Sequence, residues 1–328
     1  MTTRYSLWFG KIGILLGALL TVPAAIAQST YPTRPIRLIV SYAAGGSTDA
    51  TARLFAQGVS TALGQQVVVE NKPGANGLIG TEGVARATPD GYTLLFGPIA
   101  TNSIASSLYT NLRYDPIKDF VAITEVARTP LLFVVGPSVP AKTVQEFLTY
   151  ARGASKNLNY GSGGQGTASH IVGAVFVRLA GISAQHVPYK GSGLALNDVM
   201  GGHVDLMFDA LGTSIQHVRA GKLRALGIST ASRSALAPDI PTLTEAGLPG
   251  LEISWWFGLF APRGTPDAVV EKLASASVET LNRQDVRTAF AAQGLEPVGS
   301  SPAEFGKKVI HEAEYWGKVI RESGIKAE

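Results

Sequence analysis

The chain has 328 residues, 45% of them apolar, so it can bury a large core, and its 28 Lys and Arg against 24 Asp and Glu give a net charge of only +4. So mild a charge excludes the electrostatic footprint of a nucleic-acid or membrane-surface binder. The absence of cysteine excludes a disulfide scaffold, and with it a lipid anchor carried on an N-terminal cysteine.

Residues 1–27 read as a secretory signal. "MTTRYSLWFGK" carries Arg4 and Lys11 and no acid, "IGILLGALLTVPAA" is apolar but short for a bilayer span, and Ala25, Ile26 and Ala27 supply the small-x-small cleavage pattern. Cleavage is expected after Ala27. The rest of the chain is nearly balanced in charge and holds no transmembrane stretch, so a free, soluble protein of a bacterial periplasm is expected. Its length of roughly 300 residues suggests two domains.

Strand and helix patterns then alternate. "IRLIVSY" is a buried strand, followed by a glycine turn and a helix from about Asp49 to Leu63. "QVVVEN" is a strand, "NKPGANG" a loop, and a short helix around Gly83 leads through "PDGY" to the strand "TLLFG". The unit repeats with "LLFVVGP", a helix over 143–152, "LNYGS", a helix over 167–180, "AQHVPY", a helix over 192–200 and "VDLMFDA". A helix near Ile215, the strands "LRALGIS" and "WWFGLFAP", and two or three helices complete the chain. The pattern predicts an α/β protein built on mostly parallel sheets.

Two Pro- and Gly-rich crossings, "ARTPLLFVVGPSVP" and "APDIPTLTEAGLPGLEISWW", divide the middle of the chain. Read as hinges, they make residues 128–248 one lobe and residues 28–127 with 249–328 the other, with a ligand cleft between them.

The segment "YGSGGQGTASH" carries Gly161, Gly163 and Gly166 in a G-x-G-x-x-G spacing between a strand and a helix. Its exposed N–H groups, the positive end of the following helix dipole and the hydroxyls of Ser162, Thr167 and Ser169 form an anion site, in which Thr167 or Ser169 can cap the helix. A dinucleotide fingerprint also needs an acid at the end of the next strand, where this chain has Tyr189 or Lys190. A carboxylate fits the loop as well as a phosphate does. "SYAAGGSTDATARLFAQ" repeats the design, with Ser47, Thr48 and Asp49 at the helix start, where plain capping also accounts for Asp49.

No catalytic set competes. There is no G-x-S-x-G elbow, and His170, His186, His203, His217 and His311 show no metal-ligand spacing. His170 reads as a helix-packing histidine and Asp205 as a solvated acid. Neither a metal nor a cofactor is expected.

The strings "VVVENKPGANGLIG", "PDGYTLLFG", "YGSGGQGTASH", "VPYKGSGLALNDVMGGHVDLMFD" and "WWFGLFAPRGTP" occur in an order that resembles the Bug receptors, the periplasmic solute-binding proteins of tripartite tricarboxylate transporters. The resemblance spans the whole of the chain beyond the signal. It implies a two-lobed type II periplasmic-binding-protein fold with the ligand cleft between the lobes. By the same resemblance, Ser162, Gly163, Gly164, Thr167 and Ser169 would hold a ligand carboxylate. Tyr42 and Ala43 to Gly46, Gly45 included, would line the first-lobe wall, and Thr101, Asn102 and Ser103 the loop after "LLFG". Tyr189 and Lys190 would approach from a strand end, and Asp209 would form the floor, where an acid can pair with a ligand amine. Trp255 and Trp256 either wall an aromatic ligand or serve the core or hinge. Ser41, Ala43 and Ala44 stand where many members of that family have prolines, and Asn102 lies near a position often held by histidine, so ligand identity is not carried over.

The function expected is a monomeric, non-enzymatic receptor that captures a di- or tricarboxylate, an aromatic acid or an amino acid and hands it to membrane subunits of a tripartite transporter. The alternatives are an exported hydrolase acting on a carboxylate or phosphate ester, and a ligand sensor for a membrane signalling partner.

Overall fold

The computed structural model describes residues 1–2, 31–153 and 158–323. The expected secretory signal, Met1 and Thr2 apart, and its expected cleavage after Ala27 lie outside the described residues. Every element below belongs to the unit that begins at Pro32.

The first elements are β1 (Ile36–Val40), α1 (Ser47–Leu63), β2 (Val67–Asn71), α2 (Leu78–Ala85), β3 (Thr93–Pro98) and α3 (Ala105–Leu108). A 3-10 turn, Ala75–Gly77, precedes α2, and a π-helical turn, Ala100–Ile104, precedes α3. There follow β4 (Phe120–Val135), α4 (Val144–Gly153), β5 (Leu158–Ser162), α5 (Ala168–Ala180), β6 (Ala184–Pro188) and α6 (Ser192–Gly201). The chain continues through β7 (Leu206–Ala210), α7 (Leu211–Arg219), β8 (Arg224–Ile228) and β9 (Ser254–Pro262). It closes with α8 (Asp267–Asn282), α9 (Gln284–Ala292), β10 (Glu296–Pro297) and α10 (Pro302–Ser323).

The strands run in the order β2-β1-β3-β9-β4-β7-β5-β6, with β8 and β10 also paired to β4. From Phe120 to Pro130, β4 pairs with β9; from Leu131 to Val135 it pairs with β7 and, over most of that stretch, β8. One 16-residue strand therefore serves two sheets, one in each lobe. Pro130 sits at the changeover, where β4 leaves its partner Ser254 and the next residue, Leu131, meets Ala210, so its missing N–H interrupts no continuous ladder. The mostly parallel pattern expected from the sequence holds for β1 with β2 and β3, and for β5 with β6 and β7. It fails at β4 and β9, which run antiparallel to their neighbours. These are the two passages of chain between lobes, one leaving and one returning, and no crossover helix joins them to a parallel partner.

Amphipathic helices cover the sheets. Ala52, Phe55, Ala56, Val59 and Leu63 place the buried face of α1 at helical spacing, and the helix stops at Gly64 in the left-handed conformation (φ 65°). In the second lobe, Phe133 stacks on Phe208 with centroids 5.1 Å apart and meets Phe176 at 4.6 Å and Phe147 edge-on at 5.0 Å. In the first, Trp256 and Phe260 pack on Phe305 of α10.

Where the start of α7 meets the turn after α9, backbone meets backbone. A Cβ placed on Gly212, at the start of α7, would lie 2.0 Å from the carbonyl oxygen of Gln293, and one on Gly294 would lie 2.2 Å from the Cα of Gly212. Only glycine at both positions permits this approach.

Candidate functional site

A cavity of about 290 Å³ opens at the carboxyl ends of the strands, with walls from both lobes. Its size is close to the lower end of the range of roughly 300–1,000 Å³ usual for small-molecule sites. Four helices begin on its wall, marked by Ser47 and Thr48 of α1, Ala168 and Ser169 of α5, Ser192 of α6, and Gly212 and Thr213 of α7. None of the four carries a side-chain cap, so the first-turn N–H groups keep their hydrogen-bonding capacity and the dipoles add positive potential. Among the described residues the wall carries no lysine, arginine or histidine, and Asp209 is its one carboxylate. Phe208, Trp255, Phe257, Leu131 and Leu295 supply apolar surface.

The capping expected of Thr167 and Ser169 is not what the structure shows. Thr167 Oγ1 donates backwards to the Gly164 carbonyl at 2.7 Å, and Ser169 Oγ accepts the Gly163 N–H at 3.0 Å. Both hydroxyls thus shape the glycine loop rather than seal the α5 terminus. Both residues also line the cavity, together with Gln165, Gly166 and Ala168. Ser162, Gly163 and Gly164 lie outside the lining; Ser162 is fully buried and its hydroxyl accepts the Gly164 N–H at 3.1 Å. Behind the loop, Tyr160, His186 and His170 stack, the two imidazoles 4.1 Å apart, and His170 Nδ1 accepts the Gly166 N–H at 3.1 Å. Accepting that bond requires an unprotonated Nδ1. Burial, and then the neighbouring His170, hold His186 down at about 4, while burial lowers His170 as well. His170 is thus a packing histidine that also steadies the loop.

On the first lobe, Tyr42 lines the cavity, and burial pushes its hydroxyl pKa far up. Ala43, Gly45 and Gly46 are exposed and outside the lining. Asp49 does not cap α1. Its carboxylate accepts the Gly45 N–H at 2.9 Å, Asn71 Nδ2 at 2.9 Å and the Arg53 guanidinium at 3.0 Å. Burial raises the Asp49 carboxyl, but these donors outweigh it and hold it at about 2. Thr101, Asn102 and Ser103 form the buried π-helical turn beneath the wall, where Ser103 Oγ donates to the Val309 carbonyl at 3.2 Å. Their neighbours Pro98 and Ala100 reach the cavity instead.

Asp209 sits at the floor, 2% exposed. Burial pushes its carboxyl up, opposed by bonds from Thr213, Ser214 and Ser192 and the Ala210 N–H. Ser214 Oγ donates at 2.7 Å, and Thr213 Oγ1 donates to the same oxygen. Tyr189 lies outside the lining, its hydroxyl bonded to Asp198, and Lys190 is exposed beside it. Asp205, expected in solvent, is buried and accepts the Asn159 N–H at 2.8 Å. The two tryptophans divide their roles. Trp255 lines the cavity, whereas Trp256 is core, its indole N–H donating to Glu312 at 2.8 Å.

Sequence reasoning passed over Asn76, Tyr109, Thr129, Ser192, Thr213 and Gln293, all of which line the cavity. Asn76 and Ser192 left a signal, lying within "NKPGANG" and "VPYKGSG". It also passed over a Ser–His contact, Ser162 Oγ to His186 Nε2 at 2.6 Å. That serine is sealed from the cavity and already bonded within its own loop, so the pair is not presented to a substrate. Among the described residues no group of His, Asp and Glu is arranged to hold a metal ion, and no helix is long and apolar enough to cross a membrane.

Comparison with known proteins agrees with this geometry. Residues 51–325 match the family described as "Tripartite tricarboxylate transporter family receptor". The chain is 35% identical to protein BugT of Bordetella pertussis over 316 residues, 96% of this chain and 97% of the relative. A structure from R. palustris with adipate is 35% identical and superposes with a TM-score of 0.81, covering 90% of this chain and 99% of the other. MatC from Rhodopseudomonas palustris with bound malate is 36% identical, with a TM-score of 0.77 over 88% of this chain and 100% of the other. These relatives share the two-lobed periplasmic-binding-protein fold, and the chain belongs to the tripartite tricarboxylate transporter receptor family.

Proposed function

We propose that this chain is an extracytoplasmic receptor that captures a small organic carboxylate between its lobes for a tripartite transporter. The observation that carries the reading is a cavity faced by four uncapped helix starts and no fixed cation. Such a wall suits an anion bound through N–H groups, hydroxyls and dipoles, and lets it leave again without breaking an ion pair. The adipate and malate found with similar structures are acids of the right class and size.

Thr167, Ser169 and the open first-turn N–H groups of α5 would grip one carboxylate, with Ser47, Thr48 and Tyr42 facing it from the first lobe. Ser162, Gly163 and Gly164 would act from behind by fixing the loop. Ala43, Gly45, Gly46, Tyr189 and Lys190 belong to the rim in this scheme, and Thr101, Asn102 and Ser103 support the wall. We take residues 28–127 with 249–328 as one lobe and 128–248 as the other, an assignment supported by the change of partners at Pro130.

The chain is proposed to reach the periplasm by cleavage after Ala27, to act as a monomer, and to pass its ligand to membrane subunits without chemistry. The family description, a transporter receptor, supports the last point against a hydrolase. The test is a thermal-shift screen of the chain from Gln28 with di- and tricarboxylates, aromatic acids and amino acids, followed by calorimetry. A carboxylate with a Kd of about 1 μM or lower, recovered unchanged, is the expected result. No shift with any acid, or turnover of a carboxylate or phosphate ester, would overturn the proposal.

A further inference from the structure

The loop before α2 holds two consecutive non-glycine residues in the left-handed region, Ala75 (φ 46°) and Asn76 (φ 53°). Each such residue costs about 1–2 kcal/mol, and cost of this kind persists where the surrounding structure requires it. Here the turn aims one group. Asn76 Nδ2 donates to the hydroxyl of Tyr109 at 3.0 Å. Tyr109 follows α3 in the first lobe, yet its Oη lies 3.6 Å from where a Cβ on Gly166 would stand, in the glycine loop of the second lobe. Gly166 has φ +72° and so also needs glycine for its backbone. All three residues line the cavity.

The direction of the Asn76 bond decides what the tyrosine can do. Because its oxygen accepts from the amide, its own O–H remains free to donate. That donor stands beside the loop whose N–H groups serve the anion. From these contacts we infer that Tyr109 is a cross-cleft latch: its O–H donates to the carboxylate seated on the α5 loop, and Asn76 is a positioning residue that acts through it. The inference rests on the receptor reading above. A latch of this kind is made only when the lobes are together, so its loss appears in the rate of release more than in the rate of capture.

The test uses the chain from Gln28 with adipate, malate, citrate, benzoate and glutamate as probes, the tightest being carried into stopped-flow measurements on intrinsic tryptophan fluorescence, to which the cavity-lining Trp255 contributes. Tyr109→Phe keeps the ring and removes the donor. It is expected to raise the release rate and the Kd by about 10-fold or more, with the capture rate changed less than threefold. Asn76→Gly removes the amide but suits the left-handed turn, so it is expected to weaken binding while the melting temperature of the free protein holds or rises. The double variant should bind no more weakly than Tyr109→Phe alone, because both changes remove one arrangement. Wild-type-like release from Tyr109→Phe, or losses that multiply in the double variant, would overturn the latch alone. Failure of the unaltered protein to bind any of the five acids would overturn the receptor reading and the latch together.

Discussion

Replacing Gly212 with alanine tests whether its contact with Gln293 and Gly294 is formed in the closed state only. The new Cβ would lie 2.0 Å from the Gln293 carbonyl oxygen, 2.7 Å from its carbon and 3.3 Å from the Gly294 Cα. Real Cβ atoms keep 3.0 Å or more, so the two backbones must part by about 1 Å. Neither partner is a side chain that can swing aside, and overpacking of this kind costs about 1–3 kcal/mol. If the lobes separate at this point when the cleft opens, the cost falls on the closed state alone. The ligand then loses about 5- to 150-fold in affinity. Calorimetry with the best acid measures that loss, and small-angle scattering of the liganded protein reports a less compact form than the wild type gives. The melting temperature of the free protein should stay near the wild-type value, because the open form relieves the clash. An unchanged Kd with a lowered melting temperature would refute the reasoning, since it would show that Gly212 and Gly294 touch in both states.

Thr167→Ala combined with Ser169→Ala removes two hydroxyls from the glycine loop and is expected to weaken carboxylate binding at least ~10-fold by calorimetry. Asp209→Asn keeps the size of the floor residue and removes its charge; amino-acid binding should fall ~10-fold or more, while binding of simple diacids should hold or tighten, as titrations of both classes will show. The folded-state pKa of His186, about 4, lies below its unfolded value of 6.5. Stability from its neutral form is therefore fully present above pH 6.5 and is lost as pH falls through the window to 4. His186→Gln should flatten the fall in melting temperature between pH 6.5 and 4. Comparing the two proteins cancels the buried carboxyls of Asp209 and Glu312, whose raised values favour low pH.

Much of the fold is written in short-range pattern. Helices expected over 143–152, 167–180 and 192–200 form at Val144–Gly153, Ala168–Ala180 and Ser192–Gly201, because each carries its own apolar face and the last two stop at a left-handed glycine, Gly181 and Gly202. What local pattern does not carry is pairing between distant segments. The first half of β4 escaped notice because "VAITEVART" owes its strand form to β9, more than a hundred residues later. The site divides the same way. Thr167 and Ser169 were visible from the glycine spacing, and Tyr42 and Asp209 from family resemblance. Thr101 to Ser103 came from the same resemblance, but a π-helical turn rotates them under the wall and brings Ala100 forward. Tyr109 owes its position to a hydrogen bond from another loop, and Gly212 to a neighbour some eighty residues away.

The sheet order also governs when the protein can fold. β3 and β4 of the first lobe do not pair with each other; β9 lies between them, and β9 begins only at Ser254. Until that strand arrives, the inner edge of β3 and the first half of β4 have no partner, and the loop to be closed between β3 and β9 spans about half of the chain. Loop-closure entropy and such non-local pairing make early collapse slow. If the chain is threaded unfolded across a membrane, as proposed, late completion of the first sheet is an advantage. It keeps the polypeptide open to transport until β9, in the last quarter of the chain, has emerged.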